Sequence, residues 1–120
     1  MRVLHFLDWL GVGGKERLVL DLAHASAESP LDLHVVAFGE GAMLDEFQQL
    51  KGRFVQLKRR RPVDWRVVAG IKEIIQRTGA QIVHAHEPVE ALHIYLATRG
   101  SSVRSVLSHH GDIFDRKNRW

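Results

Sequence analysis

Residues 64–88, DWRVVAGIKEIIQRTGAQIVHAHEP, decide the fold. Val67, Val68, Ile71, Ile74 and Ile75 recur at the i, i+1, i+4, i+7, i+8 spacing of a helix with one buried stripe. Asp64 stands where an N-cap belongs, and Gly79 where a left-handed stop belongs. The period then changes. Ile82–Ala85 is a short apolar run that reads as a buried strand, and Pro88 is placed to open another helix. Helix, glycine, buried strand and helix in direct succession are the repeating unit of an α/β protein.

Working outward, the same alternation fills the chain. Residues 3–7 read as a first strand, followed by the turn Gly11-Val12-Gly13-Gly14. A helix over 15–27 then carries Leu18, Leu22 and Ala25 on its expected core face, and Pro30 ends it. Residues 33–38 form a second strand. Met43, Leu44, Phe47 and Leu50 mark a short helix before Gly52, and residues 54–57 a third strand. Beyond Pro88 a helix runs through Ala91, Leu92, Tyr95 and Leu96 to Gly100, and residues 103–107 make a fifth strand. Five mostly apolar strands separated by four helices predict a Rossmann-like, doubly wound parallel sheet with helices on both faces.

The bulk properties fit one domain. The chain has 120 residues, 45% of them hydrophobic and 26% charged, without cysteine, so neither a disulfide framework nor a thiolate site is open to it. The first strand is too short and too polar for a signal peptide or a membrane span. The net charge of +3 is concentrated in two runs, Lys58-Arg59-Arg60-Arg61 and Arg116-Lys117-Asn118-Arg119. Such runs attract phosphates or anionic membranes, or simply form solvated loops. Nucleic acid fits poorly, because the runs lack interleaved aromatics. The polar tail closing on Trp120 suggests a domain cut from something longer.

In an open parallel sheet, ligands bind outside the carboxyl ends of the strands, where strand order reverses. With the usual order, strands one and four flank that crevice. After strand one comes the glycine turn. After strand four come His84, His86 and Glu87, and after strand five Ser108-His109-His110-Gly111-Asp112. The glycine turn suits close backbone approach to an anion at a helix N-terminus. It lacks the third glycine of a dinucleotide fingerprint, since Glu16 holds that place, and the Ser/Thr of a P-loop. His84 and His86, two apart on a strand, point to one side and could begin a metal shell completed by His109, His110 or Asp112. They could equally orient a hydroxyl or move a proton without metal. His5, His24, His34 and His93 fall inside strand and helix patterns and read as structural.

Taken in order, Gly13-Gly14-Lys15-Glu16, then Asp21-Leu22-Ala23, Ile82-Val83-His84-Ala85-His86 and Val106-Leu107-Ser108-His109-His110-Gly111 resemble the N-terminal domain of GT-B glycosyltransferases. The resemblance is to the large retaining family 4 ("group 1") and spans essentially the whole chain. It implies one acceptor-side domain over residues 1–120, truncated before a C-terminal donor domain that carries the family's acidic motif. The activity implied is hexosyl transfer from a nucleotide sugar, with retention, in glycan or cell-envelope synthesis. No metal or other cofactor is implied. Partners would be the nucleotide sugar, a glycan, lipid or small-molecule acceptor, and the missing domain in cis or as a second chain. The isolated chain would be inactive.

By the same resemblance His110 is the catalytic candidate, hydrogen-bonding the donor sugar near the reacting carbon, with His109 as its neighbour in substrate binding. Gly13 and Gly14 would offer backbone N–H groups to phosphate or acceptor. Glu16 would orient the turn, and His84, His86 and Glu87 would face the acceptor. A cytoplasmic protein is implied, with peripheral contact at the inner face of the membrane through Lys58, Arg59, Arg60 and Arg61. Two rivals stand beside this reading: a non-catalytic nucleotide or sugar-phosphate binding module, and a metal-dependent hydrolase built on His84 and His86.

Overall fold

The computed structural model describes residues 1–8, 10–11, 14–26, 30, 32–50 and 52–107. Its elements are β1 (Arg2–Leu7), α1 (Gly14–Ala25), β2 (Asp32–Ala37), α2 (Leu44–Gln48), β3 (Phe54–Gln56), α3 (Trp65–Thr78), β4 (Ile82–Ala85), α4 (Pro88–Thr98) and β5 (Arg104–Leu107). The strands form one sheet in the order β3-β2-β1-β4-β5, every pairing parallel. This is the expected Rossmann-like α/β architecture. Strand order reverses between β1 and β4, so the crevice lies where the alternation placed it.

Two apolar cores occupy the two faces. Leu4, Phe6 and Val83 pack with Val67, Val68, Ile71, Ile74 and Ile94, so α3 and α4 cover one face. Leu7, Leu33 and Val35 pack with Val19, Leu20, Ala23 and Phe47, so α1 and α2 cover the other. Alternation along β1 dictates this division: Leu4 and Phe6 point one way, His5 and Leu7 the other.

The caps read from the sequence are present. Asp64 Oδ1 accepts the Arg66 N–H at 3.1 Å, and Gly79 closes α3 at φ 69°, a left-handed position where glycine avoids a Cβ penalty. Behind Asp64, buried His93 accepts the Asp64 N–H on Nε2 (2.9 Å) and donates from Nδ1 to the Val89 carbonyl (2.8 Å). Those partners fix its neutral tautomer, so His93 joins α3 to α4.

Three expectations are corrected. The core face of α1 is not Leu18, Leu22 and Ala25, all of which are exposed; Glu16, Val19, Leu20 and Ala23 are buried instead. Two stripes of similar polarity compete on that helix, and the sheet selects the one carrying β-branched Val19. On α4, Leu92 and Tyr95 face solvent while Glu90, His93, Ile94 and Ala97 are buried. Polar side chains there find partners inside, which an apolar count cannot anticipate. Finally, all four residues of β5 are exposed, because it is the sheet's edge.

Candidate active-site crevice

The β1–β4 register sets His5 directly opposite His84. His86 follows two residues later on the same side, so three imidazoles from two neighbouring strands form one cluster. His5 and His86 are buried and His84 is partly so. His5 Nδ1 lies 3.2 Å from His86 Nε2, a hydrogen bond in which one ring donates and the other accepts. Ring centroids are 4.6 Å apart for His5–His84 and for His84–His86, the latter pair nearly parallel at 14°. Burial first, and the neighbouring His84 second, push His5 down from 6.5 to about 4. At neutral pH it is therefore an uncharged hydrogen-bonding group.

The third partner of His84 and His86 is thus His5, which its place inside a strand marked as structural. Its nearness depends on which strand neighbours β1, and one sequence does not display that pairing. The proposed completion by His109, His110 or Asp112 lies outside the described residues. The three imidazoles have ligating atoms within 4.8 Å of one another. A tetrahedral zinc with ordinary Zn–N bonds needs nitrogens about 3.4 Å apart with lone pairs converging on one point. Stacked rings hold their in-plane lone pairs side by side, so these rings would have to rotate to coordinate an ion.

Below the cluster, the backbone is fixed by a residue the sequence reading passed over. Glu90, fully buried, accepts the N–H of His86 at 2.7 Å and of Glu87 at 3.0 Å on Oε1. Glu87 is the N-cap of α4 and shares a capping box with Glu90, with Pro88 in the first turn. The Glu87-x-x-Glu90 spacing was the available signal.

Of the remaining candidates, Gly14 is the exposed first residue of α1, and a Cβ built on it meets nothing within 4 Å. Among the described residues, none therefore packs over Gly14. Glu16 is buried in the first turn of α1. Gly13, His109 and His110 lie outside the described residues. The turn region is stitched to the loop after β2: Leu10 N–H donates to the Glu40 carbonyl (3.3 Å) and Met43 N–H to the Leu10 carbonyl (2.9 Å). A Cβ on Gly41 would sit 2.4 Å from that Leu10 carbonyl, so the approach requires glycine.

The run at 58–61 is divided. Lys58 Nζ lies 3.1 Å from Glu40 Oε2, and Arg59 Nη2 lies 3.3 Å from Asp8 Oδ1. Only Arg60 and Arg61 of the four point outward without an ion pair among the described residues.

A parallel sheet whose order reverses beside a cluster of three histidines is that of a Rossmann-like α/β domain, and solved structures narrow the class. A glycosyltransferase from Rickettsia africae ESF-5 superposes with a TM-score of 0.70 at 17% identity, over 88% of this chain and 28% of that one. The apo form of WaaB, a lipopolysaccharide outer core galactosyltransferase, superposes with a TM-score of 0.67 at 16% identity, over 91% and 32%. The fold is that of one Rossmann-like half of a GT-B glycosyltransferase, and the chain spans less than a third of either neighbour. Residues 12–120 match Glycosyltransferase Family 4, and the chain belongs to that family. No curated protein matches it.

Proposed function

We propose that the chain is the acceptor-side, N-terminal half of a retaining glycosyltransferase that moves a hexosyl group from a nucleotide sugar. A C-terminal half, in cis or as a separate chain, would hold the donor, and these residues alone would be inactive. The observation that supports the reading is the cluster of His5, His84 and His86 where strand order reverses between β1 and β4, close to the strand ends at which such sheets take ligands.

In such a transfer the bond between the anomeric carbon and the diphosphate oxygen breaks, and a bond to the acceptor oxygen forms on the same face. The acceptor's proton passes to the departing phosphate. Positive charge grows on the sugar and negative charge on the phosphate, so N–H groups at the start of α1 and a neutral imidazole supply stabilisation without a metal. His86, held by His5 and by Glu90 through its backbone, would orient the acceptor hydroxyl, and His110 the donor sugar. Closure of the two halves would exclude water and favour transfer over hydrolysis. Among the described residues no helix is long and apolar enough to cross a membrane. We assign the protein to the cytoplasm, with peripheral contact at the inner membrane face narrowed to Arg60 and Arg61, since Glu40 and Asp8 hold the other two cations.

The test uses the full natural protein, or this chain with its donor-binding partner, against a panel of nucleotide sugars with and without EDTA. Nucleoside diphosphate release that survives EDTA, with retained anomeric configuration in the product, is the expected result. His86→Ala should lower kcat/KM by about tenfold or more. Turnover that requires metal, or an inverted product, would sink the reading. So would failure to consume any nucleotide sugar, which would favour the binding module.

A further inference from the structure

A second concave site lies on the same rim at β3, with β2 standing between it and β1. Where the chain leaves β3 for α3, a cavity of about 530 Å³ is lined by Arg60, Arg61, Val63, Asp64, Trp65 and Arg66. It shares Arg60, Asp64 and Arg66 with a smaller recess of about 260 Å³ that reaches back to Gln56 and Lys58. The larger volume is ample for a small ligand.

The charges here are unevenly committed. Among the described residues, none of the guanidinium groups of Arg60, Arg61 and Arg66 forms an ion pair. Asp64 is the one carboxylate of the lining, and its work is structural: Oδ2 accepts the Arg60 N–H at 2.8 Å, Oδ1 accepts the Arg66 N–H at 3.1 Å, and the side chain is buried. The Arg60 backbone bond foremost holds its carboxyl below the ordinary range. Arg61 lowers it further through its charge, so three exposed cations stand against a single carboxylate that also caps α3.

Beside them Trp65 is 64% exposed and Val63 38%. A large aromatic left in water at the mouth of a cationic hollow offers an apolar wall to whatever the arginines hold. The planar forks of arginine match phosphate oxygens in pairs, and several forks around one hollow exceed what one carboxylate can accept.

We propose that this pocket binds the phosphate group of a phosphorylated ligand through Arg60, Arg61 and Arg66, with Trp65 lying along the ligand's uncharged part. Two sources share that chemistry, a soluble phosphate ester and the headgroup of an anionic lipid. The lipid source rests on the peripheral contact proposed above for Arg60 and Arg61 and gives it a pocket, whereas the soluble source stands on the pocket's own charges alone.

The test measures calorimetric binding of inorganic pyrophosphate, and cosedimentation with phosphatidylglycerol or phosphatidylcholine vesicles. The wild type is compared with Arg60→Ser/Arg66→Ser, and with Arg99→Ser as a control elsewhere on the surface. These side chains are exposed, and circular dichroism checks that each variant folds. Saturable pyrophosphate binding, weakened at least about tenfold in the double variant and unchanged in the control, is the result expected for a soluble source. Binding confined to phosphatidylglycerol vesicles, and lost in the double variant, supports the pocket with a lipid source. The proposal is overturned if the wild type binds neither probe, if the double variant binds like the wild type, or if the control loses as much.

Discussion

At the β1–β4 crevice, His5 and His86 are buried and hydrogen-bonded to each other, and His5 is kept neutral by its surroundings. At the β3–α3 edge, Arg60, Arg61 and Arg66 stand in solvent around a hollow whose one carboxylate, Asp64, caps a helix. His5 and His84 lie within β1 and β4 with His86 just past β4, whereas Arg60, Arg61 and Arg66 come after β3. The first is buried and hydrogen-bonded within itself. The second is charged and wet, suited to drawing in an anion from a distance. Position in the sheet separates them: β1 is flanked on both sides, whereas β3 is an edge. A central strand end can bury imidazoles, and an edge cannot.

The sharpest way to break the contrast is to remove the buried support of the crevice. Glu90→Ala takes away the acceptor of two peptide N–H groups, those of His86 and Glu87. Leaving a buried donor unsatisfied costs about 1–3 kcal/mol, so a loss of roughly 3–4 kcal/mol is expected, read as a fall in denaturant midpoint. Glu90→Gln keeps one oxygen acceptor and should lose less. If Glu90→Ala unfolds at the wild-type midpoint, the segment carrying His86 is not held as described.

The second prediction turns on protonation. His5 titrates at 6.5 when unfolded and at about 4 when folded, so the folded state resists the proton. Its contribution to stability is complete above pH 6.5 and is lost as pH falls from 6.5 towards 4. The full span is at most about 3 kcal/mol. Denaturant melts at pH 7.0, 5.5 and 4.5 should show the decline, and His5→Asn should flatten it over that window. A wild-type slope that persists in the variant would place the titrating group elsewhere.

Much of this contrast could be read from the chain, and what could not has a common cause. The α3 stripe, the Asp64 cap, the Gly79 stop and the strand at 82–85 were legible because each is a local pattern with one solution. The position of the crevice followed from alternation and the usual strand order. The outer face of α1 was misread because Leu18/Leu22 and Val19/Ala23 both make apolar stripes, and only the sheet decides between them. The partners of His5 were not legible because they are across a register on another strand, a contact that no spacing within β1 encodes. Glu90 was passed over because a buried acid resembles a surface one until its N–H donors are known. The division of the run at 58–61 depends on Asp8 and Glu40, which reach it from the ends of two other strands.

The smallest structural effect is expected at Gly14, and it bears on function most directly. Gly14 opens α1, and a Cβ there would meet nothing within 4 Å. Among the described residues no packing therefore requires glycine at this place, unlike Gly41, whose Cβ would collide with the Leu10 carbonyl. Gly14→Ala should change stability by no more than about 0.5 kcal/mol, the usual range for a surface site. A ligand drawn to the N–H groups at the start of α1 would meet the added methyl, because close backbone approach is what glycine permits. On the transferase reading proposed above, the variant assayed with its donor-binding half should therefore raise KM for nucleotide sugar or acceptor severalfold at nearly unchanged Tm. An unchanged KM would move the ligand away from the α1 N-terminus and leave the histidine cluster as the crevice's only contact of the two. A large fall in Tm would instead show that Gly14 is held by packing, and the difference drawn between the two glycines would fail.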